Sequence, residues 1–129
     1  MYDEILQAVI NMAEAAVGFP IVTGSQPPTD GIAMTGNASS RTIFLDIGSD
    51  EAMTVVVNGK NGNQQTVIRQ LDAIHASLTR RKDFPSGAGW QIYAIETVAS
   101  PRLLGRESNN RYQWLYGSSM LVKINTKGI

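Results

Sequence analysis

The sequence predicts an α+β fold: two amphipathic helices packed on a mostly antiparallel β-sheet that ends in a long C-terminal β-hairpin. Three observations lead there. Apolar residues recur at helical spacing in two stretches, Ile5 to Ala16 and Val67 to Leu78. Apolar and polar residues alternate from Trp90 to Val98 and again from Tyr112 to Ile124. Clusters of Gly, Pro, Asn, Asp and Ser cut the rest of the chain into short extended runs. Two such helices can cover one face of an antiparallel sheet, and 129 residues suffice for one domain, residues 1–129, with one core.

Taken in order, Asp3 is placed to cap a helix on which Ile5, Leu6, Val9, Met12, Ala13 and Ala16 share a face. Gly18 ends it in a left-handed cap, Pro20 prevents its resumption, and a short strand from Phe19 to Thr23 follows. The stretch Gly24 to Gly31, with Pro27 and Pro28 at its centre, is dense in turn formers and reads as a surface loop. Three strands are expected next, Ile32–Thr35, Arg41–Ile47 and Glu51–Asn58, separated by turns at 36–40 and 48–50 and paired as a meander. Gly59 to Asn63 leads into the second helix, whose stripe is Val67, Ile68, Leu71, Ile74, His75 and Leu78, with Arg80, Arg81 and Lys82 in its last turn.

The hairpin dominates the rest. Arms from about Trp90 to Arg106 and about Arg111 to Asn125, joined through Ser108-Asn109-Asn110, would each span roughly 50 Å at ~3.3 Å per residue. A domain of this size is only about 36 Å across. The hairpin therefore bends or protrudes, and an arm that leaves its own globule serves to touch another subunit. This favours an assembly component over a small enzyme.

Composition narrows the function classes. With 43% apolar and 17% charged residues the chain is an ordinary globular one, and no apolar run is long enough to cross a bilayer. The first residues carry acids where a secretory signal carries bases, so they read as structure. The absence of cysteine excludes disulfide frameworks and thiolate metal sites. Eleven basic and eleven acidic residues cancel, so no global field draws the protein to nucleic acid.

The residues that could carry chemistry have simpler explanations. His75, the one histidine, sits on the apolar stripe of the second helix with no nucleophile motif beside it, and reads as a structural histidine. Asp46, Asp50 and Glu51 surround a turn but miss the alternating spacing of a calcium loop. Gly59-Lys60-Asn61-Gly62-Asn63 stands where a phosphate loop would stand, yet Asn61 replaces the required Ser or Thr, so a helix-initiating turn is the better account. Tyr112, Trp114 and Tyr116 share one sheet face by their spacing of two. They form either core beneath the helices or, if that face is uncovered, an aromatic platform for a carbohydrate or nucleotide.

Three segments also carry a family resemblance: Leu71-Asp-Ala-Ile-His-Ala-Ser-Leu78, Phe84-Pro-Ser-Gly-Ala-Gly-Trp-Gln-Ile-Tyr93, and Asn110-Arg-Tyr-Gln-Trp-Leu-Tyr-Gly-Ser-Ser-Met-Leu-Val-Lys123. They resemble the minor capsid or tail terminator proteins of long-tailed, siphovirus-like bacteriophages and of prophages in Gram-positive bacteria, most strongly after residue 65. The resemblance implies a tail-terminator-like fold and a ring, usually a hexamer, that caps the tail tube, stops its growth and faces the head-side connector. It implies no catalytic residue, no cofactor and no metal. The implied partners are further copies of the chain, the tail tube protein and the head–tail connector protein, with DNA only passing through the channel and no membrane or small-molecule substrate. The implied location is the head–tail junction of the virion, reached from the host cytoplasm during assembly. Another head–tail joining or minor capsid component is the near alternative, and a small binding module using the aromatic face is the alternative of another class.

Two regions are expected to meet partners. The outer hairpin, with Pro101, Arg102, Leu103, Leu104, Arg106, Asn109, Asn110 and Arg111, combines a pairing breaker, adjacent leucines and arginines. The loop around Pro27 and Pro28 is the second.

Overall fold

The computed structural model describes residues 2–27, 29–43, 49–106 and 113–126. The first helix, α1, runs Tyr2–Val17 and buries Ile5, Val9, Ile10, Met12 and Ala13. Asp3 lies inside its first turn rather than capping it, where with Glu4 it faces the positive end of the helix dipole. Gly18 adopts φ +80° and donates to the Glu14 carbonyl at 2.8 Å, the left-handed cap its position requires. The Glu14 carboxylate then accepts from the Ile21 N–H at 2.9 Å, turning the chain into strand β1, Val22–Thr23.

The second helix, α2, spans Gln64–Thr79 and buries Val67, Leu71, Ile74, His75 and Leu78, the stripe its periodicity implies. Asn63 starts it: its side chain accepts from the Thr66 N–H at 3.1 Å. Removing that acceptor leaves an orphan donor, so Asn63→Ala should cost about 1 kcal/mol, read as a lower urea midpoint. The helix stops at Thr79 with Arg80 as C-cap. Arg81 and Lys82 fall beyond its last turn, and the Arg81 Nε donates to the Asp83 carbonyl at 2.7 Å.

The strands β2 (Gly31–Ile43), β3 (Ser49–Asn61), β4 (Ser86–Gly87), β5 (Trp90–Arg106) and β6 (Trp114–Thr126) form one sheet with β1 in the order β1-β2-β3-β6-β5-β4. Only β1 and β2 are parallel. The fold is thus α+β, two helices on a mostly antiparallel sheet, as the patterning implies. The expected meander is not. Gly36 to Ser40 is not a turn between two strands but the middle of the single strand β2, paired with Val55 to Ala52 of β3. A long neighbour supplies ladder partners that outweigh local turn propensity. The one misfit, the step from Ala38 to Ser40, is absorbed as a bulge. The far part of the expected strand Arg41–Ile47, and the turn at Ser108 to Asn110, lie outside the described residues.

The hairpin β5–β6 is long and repeatedly bulged. Seventeen residues of β5 stand against thirteen of β6, four more. The register shifts four times, between Ile92 and Ala94, Thr97 and Ala99, Ala99 and Arg102, and Leu103 and Gly105. Each shift inserts one extra residue on β5, and each bulge bends the strand and tightens its twist. That reconciles two arms of such length with so small a globule.

Both helices pack on one face of the sheet. Their stripes meet Ile32, Met34, Met53, Val55, Val57, Ile92, Ile95, Met120, Val122 and Ile124 in one continuous core. Trp90 closes one end of it, with its indole N–H 3.1 Å from the Glu4 carboxylate, so that the start of β5 is tied to α1.

Candidate assembly interface

The sheet leaves two edges largely open. On one side, β1 pairs only with Ala33 and Met34, so among the described residues β2 has no strand neighbour on that edge from Thr35 to Ile43. On the other, β4 pairs only with Trp90 and Gln91 and the Pro85 carbonyl accepts from the Ile92 N–H at 3.3 Å, so among the described residues β5 has no strand neighbour on that edge from Tyr93 to Gly105. An unpaired edge carries a row of backbone donors and acceptors that recruits another strand unless it is blunted.

Exposed apolar side chains mark the same edges. Five large hydrophobic residues are exposed among the described residues, by 44–61% of their surface: Val22, Tyr93, Val98, Leu103 and Leu104. All five lie on β1 or β5. Three of them, Tyr93, Val98 and Leu104, are the extra residues of β5 bulges, left without a partner on β6. Bulges re-aim side chains in this way. The sequence carries a trace of it: the buried positions Trp90, Ile92 and Ile95 step by two and then by three, breaking the alternation that a regular strand would keep.

The residues of the outer hairpin are distributed as follows. Pro101 is half-buried beside a bulge, Arg102, Leu103 and Leu104 are exposed, and the guanidinium of Arg106 lies 4.4 Å from the Trp114 ring centroid, within cation–π range. Leu104 covers Gly117, where an added Cβ would stand 2.8 Å from the Leu104 Cδ1. Asn109, Asn110 and Arg111 lie outside the described residues. So does Pro28, while Pro27 is buried and stands beside Gly31. The loop is fastened by the Asn58 side-chain amide, which donates to the Ser25 carbonyl at 2.8 Å. Its exposed surface is Ser25, Gln26, Thr29 and Asp30.

The aromatic triplet does not form a platform in the described residues. Tyr116 is buried and its hydroxyl takes a 2.6 Å hydrogen bond from the Gln64 side chain, while Trp114 is half-buried under Arg106. Tyr112 is outside the described residues. Burial beneath α2 therefore accounts for Tyr116.

His75 is buried on α2, its Nδ1 2.8 Å from the Thr97 hydroxyl and its Nε2 enclosed without a partner. Burial holds its pKa below the ordinary 6.5, and Asp72 opposes this less strongly. A proton on Nε2 would be a donor with nothing to donate to. Below about pH 6.5 the unfolded chain thus takes up a proton that the folded chain resists, so stability falls as pH drops and is level above that value. Urea midpoints at about pH 7.5 and pH 5.5 should show this loss in the parent and a smaller one in His75→Gln.

Among the described residues no group of three or more His, Cys, Asp or Glu side chains is placed to hold a metal ion, and no helix is long and apolar enough to cross a membrane. Gly59 to Asn63 forms the end of β3 and the cap of α2, not a cradle.

No known family model matches the chain, and no curated protein does. Among solved structures, a chain from the virion of a native gene transfer agent particle superposes with a TM-score of 0.63 at 12% identity, over 96% of this chain and 95% of that one. A second solved chain aligns at 14% identity with a TM-score of 0.45, over 99% and 94% of the two chains. The first likeness shows a shared fold across nearly the whole length of both chains.

Proposed function

We propose that this chain is a structural component of a phage-like virion, and specifically a tail terminator. On this reading residues 1–129 form one domain, copies of it close into a ring, most simply a hexamer, and the ring caps the tail tube and meets the head-side connector at the head–tail junction. It works by geometry and catalyses no reaction. The observation that carries the reading is the fold shared end to end with a chain of a gene transfer agent virion. The resemblance of residues 71–123 to tail terminators supports the finer assignment. Two open strand edges bearing the exposed hydrophobic residues supply the means of assembly.

One fold serves several positions in a virion, so position is tested separately. Light scattering behind a size-exclusion column should give one mass over a wide concentration range, roughly 84 kDa for six subunits of 14.0 kDa. Added to growing tail tubes, the protein should bind their ends and fix their length. A protein that stays monomeric at every concentration and leaves tube length unchanged is not a terminator.

A further inference from the structure

We propose that the open edge of β2 in one copy pairs antiparallel with the open edge of β5 in the next, so that the sheet continues from subunit to subunit. The inference rests on the assembly reading and names the contact that would make the ring.

Direction comes first. Hydrogen-bond register aligns Ile43, Ser49, Thr126 and Trp90 at one end of the sheet, and Gly31, Lys60, Leu115 and Gly105 near the other. The strands β2 and β5 therefore run in opposite senses on opposite sides. When identical copies stand side by side in one orientation, the β5 of one meets the β2 of the next as an antiparallel pair. The chain carries both halves of the ladder.

The window in which they meet follows from the same register. Thr35 lines up through Val56 and Ser119 with Ala99, and Arg41 lines up through Glu51 and Ile124 with Ile92. At equal height, then, Thr35–Arg41 of one copy faces Ile92–Ala99 of its neighbour; Ile92 closes the window, because its N–H already donates to the Pro85 carbonyl at 3.3 Å, and among the described residues no other residue of either window has a strand partner on its outer side. The short strands β1 and β4 are the stops, β1 from Met34 onward and β4 from Gln91 onward. A head-to-tail contact made without sliding along the strands closes into a ring when the rotation permits; one made with a stagger climbs into a helix.

Beyond the window β1 of the neighbour intervenes, and there β5 is bent by the bulges around Pro101. Val22 pairs with Ala33, which lines up through Asn58 with Gly117, the residue that Leu104 covers. Val22 of one copy is thus level with Arg102 of the next, and the Leu104 side chain, lying over Gly117, reaches back to that height. The contact accounts for the placing of all five exposed hydrophobic residues on the two edges, which an unrelated partner on one edge would leave half explained.

The chain has no cysteine, which makes the test clean. Val98 lies between the heights of Thr35 and Gly36, so Thr35→Cys and Val98→Cys place thiols across the proposed junction. Mixed single variants treated with a short bis-maleimide should give cross-linked dimers, and the double variant a ladder ending at the ring. Efficient linking of Val98→Cys to itself would mean a two-fold contact and would overturn the proposal. No linking in a sample that scatters as a ring would place the contact elsewhere, leaving the assembly reading intact; a lasting monomer that also leaves tube length unchanged would remove both. On the unmodified protein, amide exchange in 35–41 and 93–99 should slow about tenfold or more on assembly. Slowing of the β5 amides alone also overturns the proposal.

Discussion

Gly59→Ala should destabilise the fold by about 1–3 kcal/mol, although alanine is ordinarily the better strand residue by about 0.5–1 kcal/mol. The sign is set by α2, which crosses β3 here at close range. A Cβ on Gly59 would stand 2.4 Å from the Val67 Cγ2 and 3.1 Å from the Ile32 Cδ1, both on fully buried side chains. Valine is stiff at χ1, and Val67 sits in the first turn of a helix whose start is held by the Asn63 cap. Neither neighbour can swing into solvent, so the helix itself must lift. Urea unfolding would show the loss as a lower midpoint with an unchanged slope. In the double variant with Val67→Ala the clash disappears, so the two losses should sum to more than the pair together. A Gly59→Ala protein as stable as the parent would mean that α2 does not lie against β3 as described.

The same glycine illustrates which parts of the structure the sequence exposes. The stripe on α2 is a local period, and Val67, Leu71, Ile74, His75 and Leu78 could be read from spacing alone. That Gly59 lies beneath it could not, because the approach of helix to strand is a tertiary fact. Gly36 to Ser40 is the opposite case. Its composition says turn, and only the presence of a thirteen-residue neighbour makes it strand. The pairing of β3 with β6 joins residues more than fifty positions apart and leaves no local trace. At the candidate interface, the leucines and arginines of the outer hairpin stood out because they interrupt an alternating pattern. Tyr93 and Val98 did not, since each looks like one more apolar residue in a strand until the bulge that turns it outward is known. Val22 acquires meaning only once β1 is seen to form the far edge. Burial also reassigns Pro27, whose neighbours in sequence suggest a free loop but whose ring is enclosed next to Gly31.

Leu103→Asp should leave a folded monomer where the parent forms a ring. Leu103 is half-exposed in the single chain, so the substitution should change the stability of the monomer by no more than about 0.5 kcal/mol. In the proposed assembly the same position lies beyond the strand-paired window, where β1 of the neighbour would enclose it. A carboxylate taken from water without a partner costs several kcal/mol, and a ring repeats that cost at every junction. Arg102 and Arg106 belong to the same strand and would attract a carboxylate but repel an ammonium, so a lysine at this position loses at least as much. Leu103→Lys should therefore disperse the ring as well. Leu104 is the poorer choice for this test, since its side chain already packs over Gly117 within the chain and its loss would mix monomer stability with assembly. Circular dichroism establishes the fold of each variant and light scattering its mass. A Leu103→Asp protein that is folded and still assembles like the parent would show that the outer part of β5 is not where the subunits meet.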